Sequence, residues 1–139
     1  MVDITVTPAE VLPSSGARRE LKVIDTGVTV TAGQSVYVDA TSSKLKLADT
    51  DAAASAAASG IAELGGGPGQ QIPVIYEDDA LDPGATLVVG ETYVVSTTAG
   101  GIAPLSDLVA GDFTTILGIA TTAASLKLHI LVGGTARAT

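Results

Sequence analysis

Few side chains in this chain are of types that do chemistry, and their spacing limits what they could do. His129 is the sole histidine and cysteine is absent. Neither a zinc site nor a Ser-His or Cys-His pair can therefore be assembled by familiar means. His129 stands between Leu128 and Ile130 in an alternating run, so it is expected to face away from their side, toward solvent or an interface. Asp49-x-Asp51 and Glu77-Asp78-Asp79 could offer oxygen ligands to a hard cation, but neither follows the calcium-loop pattern. Each also has a structural use, the first as a helix cap and the second as a solvated turn. Gly65-Gly66-Gly67-Pro68-Gly69-Gln70 suggests a phosphate loop, yet Gln70-Gln71 follow where Lys and Ser or Thr are required. It reads as a flexible connector. Serine and threonine are abundant, none in a nucleophile-elbow context. The expectation is a protein without an active site, metal or cofactor.

Arg18-Arg19 is the one arginine pair, placed where it could meet carboxylates on a partner or serve as ordinary surface charge. The charge is otherwise acidic, at −8, with a pI near 4.3. That balance works against nucleic-acid binding, which needs clustered cations, and suits docking on a basic protein surface. Apolar residues make up 46% and aromatics only 3%, so the core must be built of Val, Ile, Leu and Ala. The first ten residues lack the basic and apolar regions of a signal peptide. No apolar run approaches the ~18 residues of a membrane helix. A soluble protein made in the cytoplasm, with no membrane or nucleic-acid partner, is expected.

The elements that would position these residues appear twice. Asp25-Thr26-Gly27 matches Asp82-Pro83-Gly84, 57 positions on, with Thr29 on Thr86, Gly33 on Gly90 and Val38 on Val95. Gly60-Ile61-Ala62 lands on Gly118-Ile119-Ala120 after one inserted residue. Within each copy a glycine turn leads to a β-prone run, Ser35–Ala40 or Thr92–Thr97. Leu45 and Leu47 then alternate with lysines, matched by the stretch from Ile102 to Leu105. Asp49–Ser59 favours a short helix capped by Asp49 or Thr50 and stopped at Gly60, with Ser106–Asp112 as its counterpart. A low-complexity linker is the alternative for the alanine run. A last alternating strand places Ile72, Val74 and Tyr76 against Leu126, Leu128 and Ile130. The tail, Gly133–Thr139, carries no pattern and is expected to be loose. Shared turn glycines and shared strand order favour duplication over coincidence. The fold class is all-β, a small barrel or sandwich of two duplicated units (about 23–79 and 80–137), each with a short helical segment, in a domain spanning 21–139.

Residues 1–20 lie outside the repeat. Val2, Ile4 and Val6 alternate with polar residues before Pro8 and Pro13 interrupt, which fits an extended arm or a frayed terminus. As an arm, its candidate partner-binding residues are Val2, Ile4, Val6, Pro8, Val11, Leu12, Pro13, Arg18 and Arg19. They could add a strand to an exposed sheet edge of another protein.

Taken together, TVTAGQSVYVD, KLKLADTDAAASAAASGIA, GATLVVGETYVVSTTAGGIAPLSDL and TTILGIAT resemble the capsid decoration, or cement, proteins of tailed bacteriophages, over residues 20–132. The resemblance implies a β-rich structural protein of the virion, often a homotrimer, on the outer capsid surface. Its partner would be the major capsid protein, bridged from subunit to subunit, with no enzyme activity and no cofactor. The alternative is a receptor- or carbohydrate-binding module of a phage fibre, a weaker reading because glycan sites display exposed aromatics.

Overall fold

A computed structural model describes residues 3–138; Val2, among the arm candidates, lies outside the described residues, as do Met1 and Thr139. Ten strands form one curled, half-barrel antiparallel sheet, the all-β fold expected. They are β1 (Val11–Leu12), β2 (Arg18–Val23), β3 (Ser35–Val38), β4 (Leu45–Leu47), β5 (Gly60–Ala62), β6 (Gln71–Pro83), β7 (Thr92–Val95), β8 (Ile102–Pro104), β9 (Phe113–Thr122) and β10 (Ser125–Ala136). One short helix, α1 (Ala53–Ala56), and two 3-10 turns (Pro8–Glu10 and Leu105–Asp107) complete the described elements.

The two halves of the sequence pair their strands in the same order. In the first unit the order is β4-β3-β5-β6-β2. In the second it is β8-β7-β9-β10-β6. The long strand β6 serves both, its first half closing the first unit and its second half opening the next. Ile75 is paired with Ile61 and Arg19, and Glu77 with His129 and Arg18. So β5 and then β10 follow one side of β6, and β2 lies along the other. Glu77-Asp78-Asp79 is therefore no inter-unit turn but the middle of a continuous strand. Its central carboxylate is buried because Ser14 supplies donors from its backbone N–H (2.8 Å) and its hydroxyl.

Local geometry recurs as well. Gly27 and Gly84 both adopt positive φ (74° and 77°), as do Gly33 and Gly90 (89° and 84°). Gly33 N–H donates to Ala62 O and Gly90 N–H to Ala120 O, each at 2.8 Å. Gly60 and Gly118 sit where a Cβ would lie 2.3 Å from Ile75 O and 2.1 Å from Lys127 O. Both must be glycine so that neighbouring backbones can approach. Gly60 is thus a strand residue, not a helix stop. Pairing also corrects the last strand's alignment by two residues, because Val74 opposes Ala62 as Leu126 opposes Ala120.

The alanine run yields only the four residues of α1, whose cap position, Ala52, offers no side-chain acceptor. Asp49 instead accepts the Asp51 N–H and the Ser55 hydroxyl, holding a turn. In the second unit a 3-10 turn replaces the expected helix. The tail is ordered into β10 as far as Ala136, which opposes Phe113. Two apolar clusters form the core, on opposite faces of the sheet at β5 and β6, where Ile61 and Ile75 enter one and Ala62 and Val74 the other. The smaller joins Ile24, Val30, Val36, Leu45, Ala62, Ile72 and Val74 of the first unit. The larger gathers Leu81, Tyr93, Ile102, Leu117, Leu126 and Leu128 of the second, together with Ile61 and Ile75 of the first.

Candidate docking face: the amino-terminal arm

The arm is bonded to its own domain. Ile4 N–H donates to Ile102 O at 3.0 Å and Thr7 N–H to Gly84 O at 2.8 Å. The Asp3 carboxylate accepts the Ser96 hydroxyl at 2.6 Å. Val6 lies against Gly33, where a Cβ would come within 2.4 Å of its Cγ1. Val11 and Leu12 then pair with Pro83 and Asp82, so β1 extends the chain's own β6. The segment behaves as a strand added to a sheet edge, and that edge is intramolecular.

The two halves differ in what meets the end of their matching strands. In the first unit Asp25 N–H donates to Leu45 O at 3.0 Å, curling the strand after β2 back against β4. The acceptor 57 positions on is Ile102 O, and there the donor is Ile4 of the arm. Each junction also carries a carboxylate–serine bond, at positions that the 57-residue offset does not equate. Asp25 Oδ2 accepts the Ser42 hydroxyl at 2.6 Å, while Asp3 accepts Ser96 in the second unit. The arm thus closes the second unit where the first closes on itself.

Of the candidate binding residues, Ile4 and Val11 are half-buried and pack against the larger core, and Val6 is half-buried over Gly33. Pro8 begins the exposed 3-10 turn, Pro13 is half-buried, and Leu12 is 67% exposed. Arg18 and Arg19 fall within β2, so the 20/21 boundary crosses a strand. Arg18 Nε lies 3.4 Å from Glu77 and Arg19 Nε lies 2.6 Å from Glu63. His129, exposed as expected, reaches Glu77 from the other side at 3.6 Å. Exposed pairs of this kind each contribute about 0–1 kcal/mol.

A second polar cluster locks the β3–β4 hairpin. Lys46 Nζ lies 2.8 Å from Asp39 and 3.9 Å from Asp25. The Ser42 hydroxyl and then the Thr26 N–H hold the Asp25 carboxyl below its usual range. Lys46, followed by the Thr41 and Ser42 amides, lowers Asp39, and Asp39 in turn raises Lys46. Among the described residues no three His, Cys, Asp or Glu side chains group to hold a metal, and no helix is long and apolar enough to cross a membrane.

Sequence reasoning missed the arm's anchors: Asp3, Ser14, Asp78, Ser96 and the close seats at Gly33 and Gly84. The two glycines were visible as turn residues, but what lies on them, Val6, Thr7 and Val11, comes from ~20 to ~80 residues away, beyond any local pattern. No protein-family model matches the chain, and no curated protein sequence matches it significantly.

Proposed function

We propose that the chain, built from a duplicated unit, is a structural virion protein that binds the outer surface of a tailed-phage capsid and stabilises the shell by bridging capsid subunits. Its partner is the major capsid protein, it acts as a homotrimer, and it resides on the assembled particle. The carrying observation is the arm from Asp3 to Ser14, which ties the two units of one sheet together while leaving Leu12, Val88 and Val89 exposed on an acidic surface. Such a unit has apolar contacts to offer and a charge that favours a basic docking surface. Its mechanism is adhesive, since many weak contacts repeated over a shell add through multivalency.

The test uses undecorated capsids of the phage that encodes the chain. Stoichiometric co-sedimentation of the purified protein, with a higher temperature of shell disruption, is the expected result. Absence of both overturns the reading. Binding of the isolated protein to glycans instead favours the fibre-module alternative.

A further inference from the structure

Two turns of the same construction differ in what lies on them. Around Gly33, Gln34 N–H donates to Thr31 O and Ala62 N–H to Gln34 O; around Gly90, Glu91 N–H donates to Val88 O and Ala120 N–H to Glu91 O. Over the first turn, Val6 and Val11 press within 2.4 and 3.1 Å of a Gly33 Cβ, and Ala32 is 8% exposed. Over the second turn nothing lies within 4 Å of a Gly90 Cβ, and Val89, the counterpart of Ala32, is 64% exposed. Val88 is exposed beside it. The uncovered turn is thus the more apolar of the two, an inversion that solvent exposure alone does not favour.

Its surroundings define what fits. Leu87 N–H ties the loop to Ala123 O, and Ala123 and Ala124 border a hollow shared with Leu12. Glu10 and Asp82 line that hollow with no Lys or Arg among its lining residues, and Glu91 follows Gly90 directly. The seat is apolar and adjoined by Glu91; the acidic hollow begins two residues before it, at Thr86, and Val88–Gly90 do not line it.

We propose that the Val88–Gly90 turn is a docking seat for an extended segment of another protein, made of proline and small β-branched residues and flanked by Lys or Arg. The first unit seats such a segment, Val6 to Val11, in the equivalent place. Charge complementarity supplies the basic flanks that the intramolecular segment lacks. That the carrier of this segment is a shell subunit rests on the decoration reading; the chemistry of the seat does not.

The probe is a synthetic peptide with the sequence of residues 4–11, Glu10 replaced by lysine and two lysines added at each end. It is titrated into the full ¹⁵N-labelled chain. Expected are amide shifts at 88–91 and 120–123, with affinity falling as salt rises. The double variant Val88→Ser, Val89→Ser, whose substitutions are on the surface, weakens binding about tenfold or more with the remaining spectrum unchanged. Shifts confined to Gly33 and the arm, or equal affinity for the double variant, overturn the proposal. If wild type decorates shells and the double variant decorates them equally, the seat is refuted and the decoration reading stands. If wild type fails on shells while the peptide binds at 88–91, the decoration reading falls and the seat stands.

Discussion

Substituting alanine at Gly33 and separately at Gly90 isolates what the arm contributes to the fold. Both glycines hold positive φ, 89° and 84°. An L residue in the left-handed region costs about 1–2 kcal/mol, and this applies to both. At Gly90 the new methyl meets open space, so the loss should stop there. At Gly33 the methyl would approach Val6 Cγ1 to 2.4 Å and Val11 Cγ2 to 3.1 Å, so the arm must move. Overpacking adds about 1–3 kcal/mol, giving Gly33→Ala a total of about 2–5 kcal/mol. Urea unfolding followed by circular dichroism measures both variants. A Val6→Ala background completes the cycle, because it removes the nearest clashing atom and should erase most of the excess at Gly33. Equal losses for Gly33→Ala and Gly90→Ala, or an excess that survives Val6→Ala, would refute the claim that the arm sits on this turn.

Three further outcomes follow from particular contacts. Asp25 and Asp39 have lowered pKa values in the folded chain, so their contribution is complete above about pH 3.8 and is lost as pH falls through their lower folded values. The stability gap between wild type and Asp39→Asn should therefore close below pH 3.8 in a urea series; a gap that is constant from pH 7 to pH 2 would contradict this. The Thr115 hydroxyl, buried, donates to Ala56 O, whereas the buried Thr50 hydroxyl has no partner among the described residues. Thr115→Val should destabilise by about 1–3 kcal/mol and Thr50→Val should be neutral or stabilising by about 1 kcal/mol, as read from the midpoint of thermal unfolding. Gly118→Ala, which aims a methyl at Lys127 O, should cost about 3 kcal/mol or more and lower soluble yield; a near-neutral result would deny the close β9–β10 approach.

Strands built from local pattern were legible in the sequence. Ser35–Val38 and Thr92–Val95 form within the runs of β-branched and aromatic residues that mark them, and His129 faces solvent by simple alternation. Three consecutive carboxylates at Glu77–Asp79 read as a solvated turn; the buried Asp78 is satisfied by the nearby Ala80 N–H and by Ser14, a partner 64 residues away that no local pattern reveals. Alanine's helix propensity overstated α1, because no side chain caps Ala52 and a backbone approach at Gly60 takes the chain into a strand. Of the candidate docking residues, the apolar alternation of Ile4 and Val6 was legible as strand-like character. Whether the edge receiving it belongs to this chain or another is a long-range question that alternation does not encode. The exposed Val88–Val89 pair was legible only as part of a repeat, and its exposure appears once the arm is seen to cover the other copy.

Strand β6 has a consequence for folding. In a solenoid each repeat holds all of its own secondary structure and contacts only its neighbours, so repeats can be added or removed one at a time. Here a single strand is the last of one unit and the first of the next, so neither half is a module. Residues 77–83 give the second unit its opening strand, paired to β10, while residues 71–77 pair with β2 and, at Val74 and Ile75, with β5. Losing β6 would strip both units of a strand at once. The chain should then melt as one cooperative body, with the β6 amides exchanging hydrogen only through global unfolding. Two halves that pair their strands in the same order have in this way no independence from each other.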